Sequence, residues 1–120
     1  MKAQENKAIA KKWFEGFNAH NVEAILALYD DNAQHFSPKL KQRKPETRGF
    51  IIGKDQMREW WKDAFERLPT LQYEPVRFTA DDEQVFMEYT RFVDGEDPMS
   101  VAEVIEIKGG KIVASRVYHG

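Results

Sequence analysis

Residues 99–118 read MSVAEVIEIKGGKIVASRVY, and this stretch decides the fold. Apolar and polar residues alternate on both sides of Gly109-Gly110, which predicts two strands joined in an antiparallel hairpin. Similar alternation occurs in two earlier stretches, and the connections between them are short and rich in Asp and Gly. Four strands are therefore expected, at 72–80, 84–93, 99–107 and 111–118.

The chain before Pro69 has the 3.6-residue spacing of amphipathic helices instead. Asn21 is a favourable N-cap for the second of three expected helices, and the polar run 30–32 is expected to end it. A third helix is expected to follow Gly53 and to stop at Pro69. The apolar positions are Ala10, Trp13, Phe14 and Phe17 in the first helix, Val22, Ile25, Leu26 and Tyr29 in the second, and Met57, Trp60, Trp61, Ala64, Phe65 and Leu68 in the third.

Two short segments separate the second and third helices. Residues 33–37 are expected to form a strand closed by Pro38. The basic segment Lys39–Arg48 holds five basic residues, one Glu and a proline, and is expected to be an exposed loop. Helices followed by an antiparallel sheet indicate an α+β fold with the helices on one face of the sheet.

The composition excludes several classes of protein. The 120 residues include 18 basic and 20 acidic ones, and a net charge of -2 argues against a nucleic-acid partner. There is no cysteine, hence no disulfide framework and no Cys-based zinc site, and three well-separated histidines do not suggest a metal site. No apolar run reaches the roughly 20 residues of a membrane span, and the lysine-rich N-terminus does not suggest a signal peptide. We therefore expect one cytoplasmic domain, 1–120, without a membrane partner.

The order of elements resembles the SnoaL-like branch of the NTF2-like superfamily, to which ketosteroid isomerases, polyketide cyclases and limonene-epoxide hydrolases belong. The resemblance implies an α+β cone in which three N-terminal helices pack on a strongly curved antiparallel sheet. It also implies a pocket for a small hydrophobic molecule at the open end, and a homodimer through the outer sheet face; no cofactor is expected. The segments that carry the resemblance are Asn18–Ile25, Leu28–Ala33, Pro38, Gly53, Trp60-Trp61, Gly110–Val113 and Arg116–Tyr118.

The family's catalytic groups are mostly absent from the matching positions. The carboxylate base of ketosteroid isomerases precedes the proline that closes the first strand, and here that residue is Ser37. Their oxyanion-hole tyrosine on the first helix falls on Trp13, and their neutral carboxylic acid falls on Glu103. The last-strand aspartate of epoxide hydrolases and cyclases falls on Val117. Any activity is therefore expected to use a different set of residues.

Glu103 and His35 are the predicted catalytic residues. Glu103 shares a strand face with Val101, Ile105 and Ile107, where lost solvation would raise its pKa and suit it to proton transfer. The alternative is that it pairs with an arginine or lies at a solvated rim. His35 faces the same way as Ser37, and with Glu103 it would make an acid–base pair. The alternative is a histidine that is hydrogen-bonded at a strand edge.

Eight further residues are predicted to line the pocket. The face of strand 84–93 that points inward is left open by its pattern; the resemblance favours the face with Tyr89 and Arg91, and Arg91 is then a potential partner of Glu103. His119 lies on the face of Val117, although fraying near the end of the chain is an alternative. The basic segment either recognises an anionic ligand or is simply solvated. The predicted lining residues are Trp13, Ser37, Trp60, Tyr89, Arg91, Ile105, Val117 and His119.

Two functions are compatible with these features. The first is an enzyme that isomerises, cyclises or hydrates a small hydrophobic molecule through Glu103 and His35. The second is a non-catalytic ligand-binding or dimerisation module of the same fold, which Ser37 and Val117 favour because the family's carboxylates are missing there. Polar groups around an apolar cavity favour the first. A pure assembly scaffold would instead have its pocket filled by side chains.

Overall fold

The computed structural model describes residues 2–120, and its strands follow the alternating pattern of the sequence closely. The four strands of the second half begin and end within one residue of the expected bounds. Val85, Met87, Tyr89 and Arg91 are buried while Phe86 and Phe92 are partly exposed, so the face with Tyr89 and Arg91 points inward. The strands are β3 (Gln72–Ala80), β4 (Gln84–Phe92), β5 (Met99–Lys108) and β6 (Lys111–His119).

The first half contains four α-helices, one more than expected, and two further strands. The helices are α1 (Lys2–Asn18), α2 (Val22–Leu26), α3 (Pro38–Arg43) and α4 (Lys54–Arg67), with a short 3-10 helix at Pro45–Thr47. The strands are β1 (Tyr29–Phe36) and β2 (Phe50–Ile52). The second helix is shorter than predicted, because Tyr29 pairs with Ile112 in the sheet and Asp30–Asn32 continue β1.

The basic segment is not the exposed loop that its charges predicted. Pro38 begins α3 at a position where its missing N–H costs nothing, and Leu40 is fully buried beneath the helix. Lys41 and Arg43 lie in the last turn, where cations complement the helix dipole. Leu40 is therefore the residue through which this charged segment packs against the rest of the protein.

The six strands form one curled, open sheet in the order β2-β1-β6-β5-β4-β3. Neighbouring strands are antiparallel except for β1 and β6, which run parallel to each other. The sheet is therefore mixed, whereas a purely antiparallel sheet was expected. The α1 helix packs against β3 and β4, and α4 packs against α2, β1 and β2. An aromatic cluster of Trp13, Phe14, Phe17, Tyr73 and Tyr89 fills the space between α1 and the sheet.

Candidate functional site

A cavity of about 240 Å³ lies between α4, α3 and the inner face of the sheet. One part of its wall is apolar, and a second part consists of buried polar side chains. A third part is cationic, and its side chains come mainly from α3, the end of α4 and β4. The apolar wall consists of Phe17, Trp60, Trp61, Ala64, Phe65, Leu68, Leu71, Val101 and Val117. The other lining residues are His35, Ser37, Lys39, Gln42, Arg43, Arg67, Tyr73, Tyr89, Arg91, Glu96, Glu103 and His119.

Glu103 is a buried carboxyl group in the wall of this cavity. It is 1% exposed, and the Tyr89 hydroxyl donates a hydrogen bond of 2.9 Å to its Oε1. Its Oε2 has no hydrogen-bond partner among residues 2–120. Burial raises the pKa of Glu103 to about 8, although the bond from Tyr89 opposes the shift. The group is therefore mostly neutral at pH 7, and because Oε1 accepts from Tyr89, its own proton belongs on Oε2.

Arg91 does not compensate Glu103. Its guanidinium is bound to Glu96 at 2.7 Å, in the connection between β4 and β5. The arginine partner considered for Glu103 from the sequence is thus occupied elsewhere, and the pKa of Glu103 rises instead of falling. Phe17, Val101 and Val117 border the same cavity and keep the surroundings of Glu103 poorly solvated.

His35 ends a buried chain of four hydrogen-bonded side chains. Trp13 Nε1 donates to the Tyr29 hydroxyl at 3.1 Å, and Tyr29 donates to Ser115 Oγ at 3.0 Å. Ser115 Oγ lies 2.6 Å from His35 Nδ1. The indole N–H of Trp13 can only donate, and Tyr29 in turn donates to Ser115. Among residues 2–120, Ser115 Oγ has no acceptor for its own proton other than His35 Nδ1, so the arrangement that satisfies every hydroxyl has Ser115 donating to Nδ1 and the imidazole proton on Nε2.

The same burial keeps His35 uncharged. Its side chain is 3% exposed, and desolvation lowers its pKa to about 4. With Nδ1 occupied by Ser115 and Nε2 carrying a proton, the imidazole that lines the cavity is a hydrogen-bond donor. The sequence had suggested a partner that exchanges protons with Glu103; the geometry favours a donor of fixed direction instead.

Most of the residues predicted from the sequence meet at this cavity. Glu103, His35, Ser37, Trp60, Tyr89, Arg91, Val117 and His119 all line it. Trp13 and Ile105 do not. Trp13 is 1% exposed because it stacks on Tyr73 and Phe17 one layer behind the cavity, and Ile105 is fully buried in the apolar core two residues beyond Glu103.

Sequence reasoning missed several polar residues of the site. Ser115 could have been identified from the sequence, because it lies on the same inward strand face as Val117 and a buried hydroxyl there needs a hydrogen-bond partner. Tyr29 was assigned to a helix and Tyr73 was not singled out. Lys39, Gln42 and Arg43 were included only in a segment expected to be a loop, and nothing in their spacing indicated that α3 would place them at a cavity.

In the described chain, no three His, Asp or Glu side chains are grouped so as to hold a metal ion. Across residues 2–120 no helix is both long and apolar enough to cross a membrane.

Comparison with solved structures supports the fold throughout the chain. A SnoaL-like protein of unknown function from Burkholderia thailandensis E264 is 24% identical with a TM-score of 0.87, over 98% of this chain and 95% of that one. A candidate ketosteroid isomerase from Kribbella flavida is 17% identical with a TM-score of 0.81, over 98% and 79%. A candidate polyketide cyclase from Sinorhizobium meliloti is 15% identical with a TM-score of 0.78, over 92% and 94%.

At these identities the structural similarity shows the fold alone. No curated protein gives a significant sequence match. The profile of the SnoaL-like domain, however, matches residues 10–115, which include the catalytic candidates His35 and Glu103 and all strands of the sheet except the end of β6. The chain therefore belongs to the SnoaL-like domain family.

Proposed function

We propose that the protein binds a small, mostly apolar molecule in the cavity, with an acceptor oxygen of that molecule held by Glu103 and His35. The observation that carries this proposal is the neutral, buried carboxyl group of Glu103, whose Oε2 lacks a protein partner. An unpaired buried polar atom is costly, and a ligand carbonyl would relieve that cost by accepting its proton. The aromatic and aliphatic wall suits the remainder of such a molecule.

The two donors also suit catalysis. A neutral acid and an imidazole N–H in a poorly solvated cavity stabilise negative charge that develops on a carbonyl oxygen. This would favour enolisation and hence isomerisation or cyclisation, and a similarly activated carbonyl could be hydrated. In an enolisation, hydroxide or a buffer base that enters from solvent would take the proton from carbon, while Glu103 donates its hydrogen bond or proton to the oxygen.

A non-catalytic binding protein is the second candidate. The position of the family's base is Ser37, and that of the last-strand aspartate is Val117; both line the cavity. Neither side chain is a ready proton acceptor, so a bound carbonyl compound would be polarised without a neighbouring carboxylate to remove its proton. This observation specifically favours binding over turnover.

The bicyclic ketone 2-tetralone tests the binding role, because its charge is constant between pH 6 and 9. We expect titration calorimetry to show binding near pH 6 to 7 that weakens about tenfold as Glu103 loses its proton above pH 8, the effect of one lost hydrogen bond. Glu103→Gln keeps a donor without titrating, so its affinity should not change with pH. Absence of binding, or the same pH dependence in both proteins, would overturn the proposal.

The same complexes separate the enzyme from the passive binder. In D2O, proton NMR follows exchange of the acidic hydrogens beside the ketone carbonyl. An enzyme should accelerate this exchange above the buffer rate, and Glu103→Gln should reduce the acceleration while 2-tetralone still binds. A passive binder should leave exchange at the buffer rate in both proteins.

We also propose that two copies associate through the outer face of the sheet. Val76, Phe86, Phe92 and Tyr118 are between 38% and 66% exposed there, and apolar surface of this kind favours burial. Val76, Ala102 and Tyr118 border one shallow groove on this face. The single domain and the cytoplasmic location stay predictions from the sequence.

A further inference from the structure

The wall of the cavity has a charge opposite to that of the whole protein. Four cationic side chains line it, and the only ionised carboxylate among the lining residues is Glu96, because Glu103 is mostly neutral at pH 7. The lining therefore has a net charge of three positive, whereas the chain has a net charge of -2. The cationic residues are Lys39, Arg43, Arg67 and Arg91.

Protein carboxylates neutralise two of these cations. Arg67 is bound to Asp63 at 2.7 Å, and Arg91 is bound to Glu96 at 2.7 Å. Lys39 and Arg43 form no ion pair with a carboxylate of residues 2–120. These two cations thus have no carboxylate of the described chain within ion-pair distance, although the lowered pKa of Asp63, caused mainly by the hydrogen bond from Arg67, has a further contribution from Arg43 at longer range.

The α3 helix holds these two charges in fixed positions. Lys39 and Arg43 are four residues apart, so they project from the same side of the helix. Leu40 is fully buried between them in sequence and anchors the helix to the core. The hydrogen bond from Arg91 is the main cause of the lowered pKa of Glu96, and Lys39 adds to it; burial is the main cause of the lowered pKa of His119, and Lys39 and Arg91 add to that shift, which is consistent with a positive potential over the same cavity wall.

The buried part of the site has no comparable charge. Glu103 and His35 are both neutral near pH 7, so they offer hydrogen bonds but no charge that would balance an anion, and an uncharged acceptor oxygen suits them. A ligand that satisfies both parts needs an uncharged oxygen at one end, an apolar body, and a negative charge at the other end. A free inorganic anion would bind the cations but would leave the apolar wall uncovered. A plain hydrocarbon would bind neither the cations nor the two hydrogen-bond donors.

On this basis we propose that the natural ligand is an apolar organic acid, and that Lys39 and Arg43 bind its carboxylate while Glu103 and His35 hold its carbonyl oxygen. This inference rests on the proposed function and adds the chemical class of the ligand. Guanidinium and ammonium groups form charge-assisted hydrogen bonds with carboxylates, which are stronger than those between neutral groups.

A matched pair of ligands tests the inference. The first is 6-carboxy-2-tetralone, which has a carboxylate at the end opposite its ketone, and the second is the corresponding neutral carboxamide. At pH 7 and low ionic strength, we expect calorimetry to give about tenfold tighter binding of the acid, which corresponds to about 1.4 kcal/mol. The double variant Lys39→Gln/Arg43→Gln should remove this preference, by weakening binding of the acid about tenfold more than binding of the carboxamide.

A second double variant controls for overall charge. Lys41→Gln/Arg48→Gln removes the same two charges from the same segment, but both residues are exposed and neither lines the cavity. It should retain the preference for the acid. The inference is overturned if the carboxamide binds as tightly as the acid, or if both double variants lose the preference equally. Failure of both ligands to bind would instead reject the proposed function, so the two failures are distinguishable.

Discussion

At the scale of single residues, the site holds a carboxylic acid and an imidazole that are both uncharged near pH 7. Burial shifts their pKa values in opposite directions, to about 8 for Glu103 and to about 4 for His35, because in each case it penalises the charged form. The cavity wall near them therefore presents two hydrogen-bond donors without a formal charge. Such a pair can donate hydrogen bonds to an acceptor oxygen and adds no charge that would balance an anion.

These opposite shifts predict an unusual dependence of stability on pH. Folded Glu103 keeps a proton that the unfolded chain releases above its ordinary pKa of 4.5, so its contribution is lost as the pH rises towards 8. Folded His35 lacks a proton that the unfolded chain binds below 6.5, so its contribution is lost as the pH falls towards 4. The two effects oppose each other from pH 4.5 to 6.5. Above 6.5, the free energy of unfolding should fall by up to about 1.4 kcal/mol per pH unit.

Urea denaturation of the wild type and Glu103→Gln between pH 4 and 9 measures this effect. The variant should gain stability from pH 4 to 6.5, through His35 with a smaller contribution in the same direction from His119, and should lack the loss attributed to Glu103 above 6.5. Parallel curves for the two proteins from pH 6.5 to 8 would show that Glu103 does not retain its proton in the folded state.

The sequence predicts the environment of a single residue well where the alternation of one strand is enough to define it. The face shared by Val101, Glu103 and Ile105 was enough to expect a desolvated carboxyl group. The proton position on His35 was beyond such reasoning, because it depends on Ser115, 80 residues away in sequence, and on Tyr29, 86 residues from Ser115. No local spacing connects these side chains before the sheet is formed.

At the scale of elements, period-2 alternation predicted β3 to β6 almost to the residue, because β4, β5 and β6 each have one buried face and β3 has one partly buried face. The predicted strand 33–37 is confirmed as part of β1, which begins earlier, at Tyr29, whereas α2 is shorter than predicted and α3 was not predicted. Tyr29 fits the apolar stripe of α2, but its pairing with Ile112 and its bond to Ser115 place it in β1. The α3 helix has one buried residue, Leu40, which is too little apolar pattern to be recognised in a sequence.

The turn before β2 gives a prediction at this scale. Gly49 has a φ of +90°, and a Cβ there would lie 2.6 Å from Phe36 Cε1 and 3.2 Å from the Ser37 carbonyl oxygen. Gly95 has a similar φ of +84° but open space around it. Gly95→Ala should lower the free energy of unfolding by about 1 kcal/mol, because alanine disfavours this backbone conformation. Gly49→Ala should lower it by about 1–3 kcal/mol more, because the added methyl group also overpacks the site.

Urea denaturation of the two variants at the same pH gives the comparison. The difference between them isolates the steric conflict from the shared cost of the backbone conformation. Equal losses would mean that Phe36 moves away from the new methyl group without cost. A larger loss at Gly49 would show that the end of β1, which carries His35 and Ser37, is held tightly by this turn.

At the scale of the whole molecule, the proposed homodimer is the property to measure. Light scattering on the purified protein should give twice the mass of the 14.0 kDa chain. Val76→Glu/Tyr118→Glu places two charges beside the outer groove and should shift the protein towards monomers. Ile52→Glu is a control at the opposite edge of the sheet, where Ile52 is 56% exposed, and should leave the mass unchanged. A wild-type monomer at high micromolar concentration would reject the dimer.

The parallel pairing of β1 with β6 also has a consequence for synthesis of the chain on the ribosome. Since β6 lies between β1 and β5 but follows every other strand in chain order, β2-β1 and β5-β4-β3 are separate pieces of sheet until it emerges. Ser115, Val117 and His119 all belong to this strand. A nascent chain thus exposes two unpaired inner strand edges until β6 has been made, and unpaired edges of this kind favour aggregation.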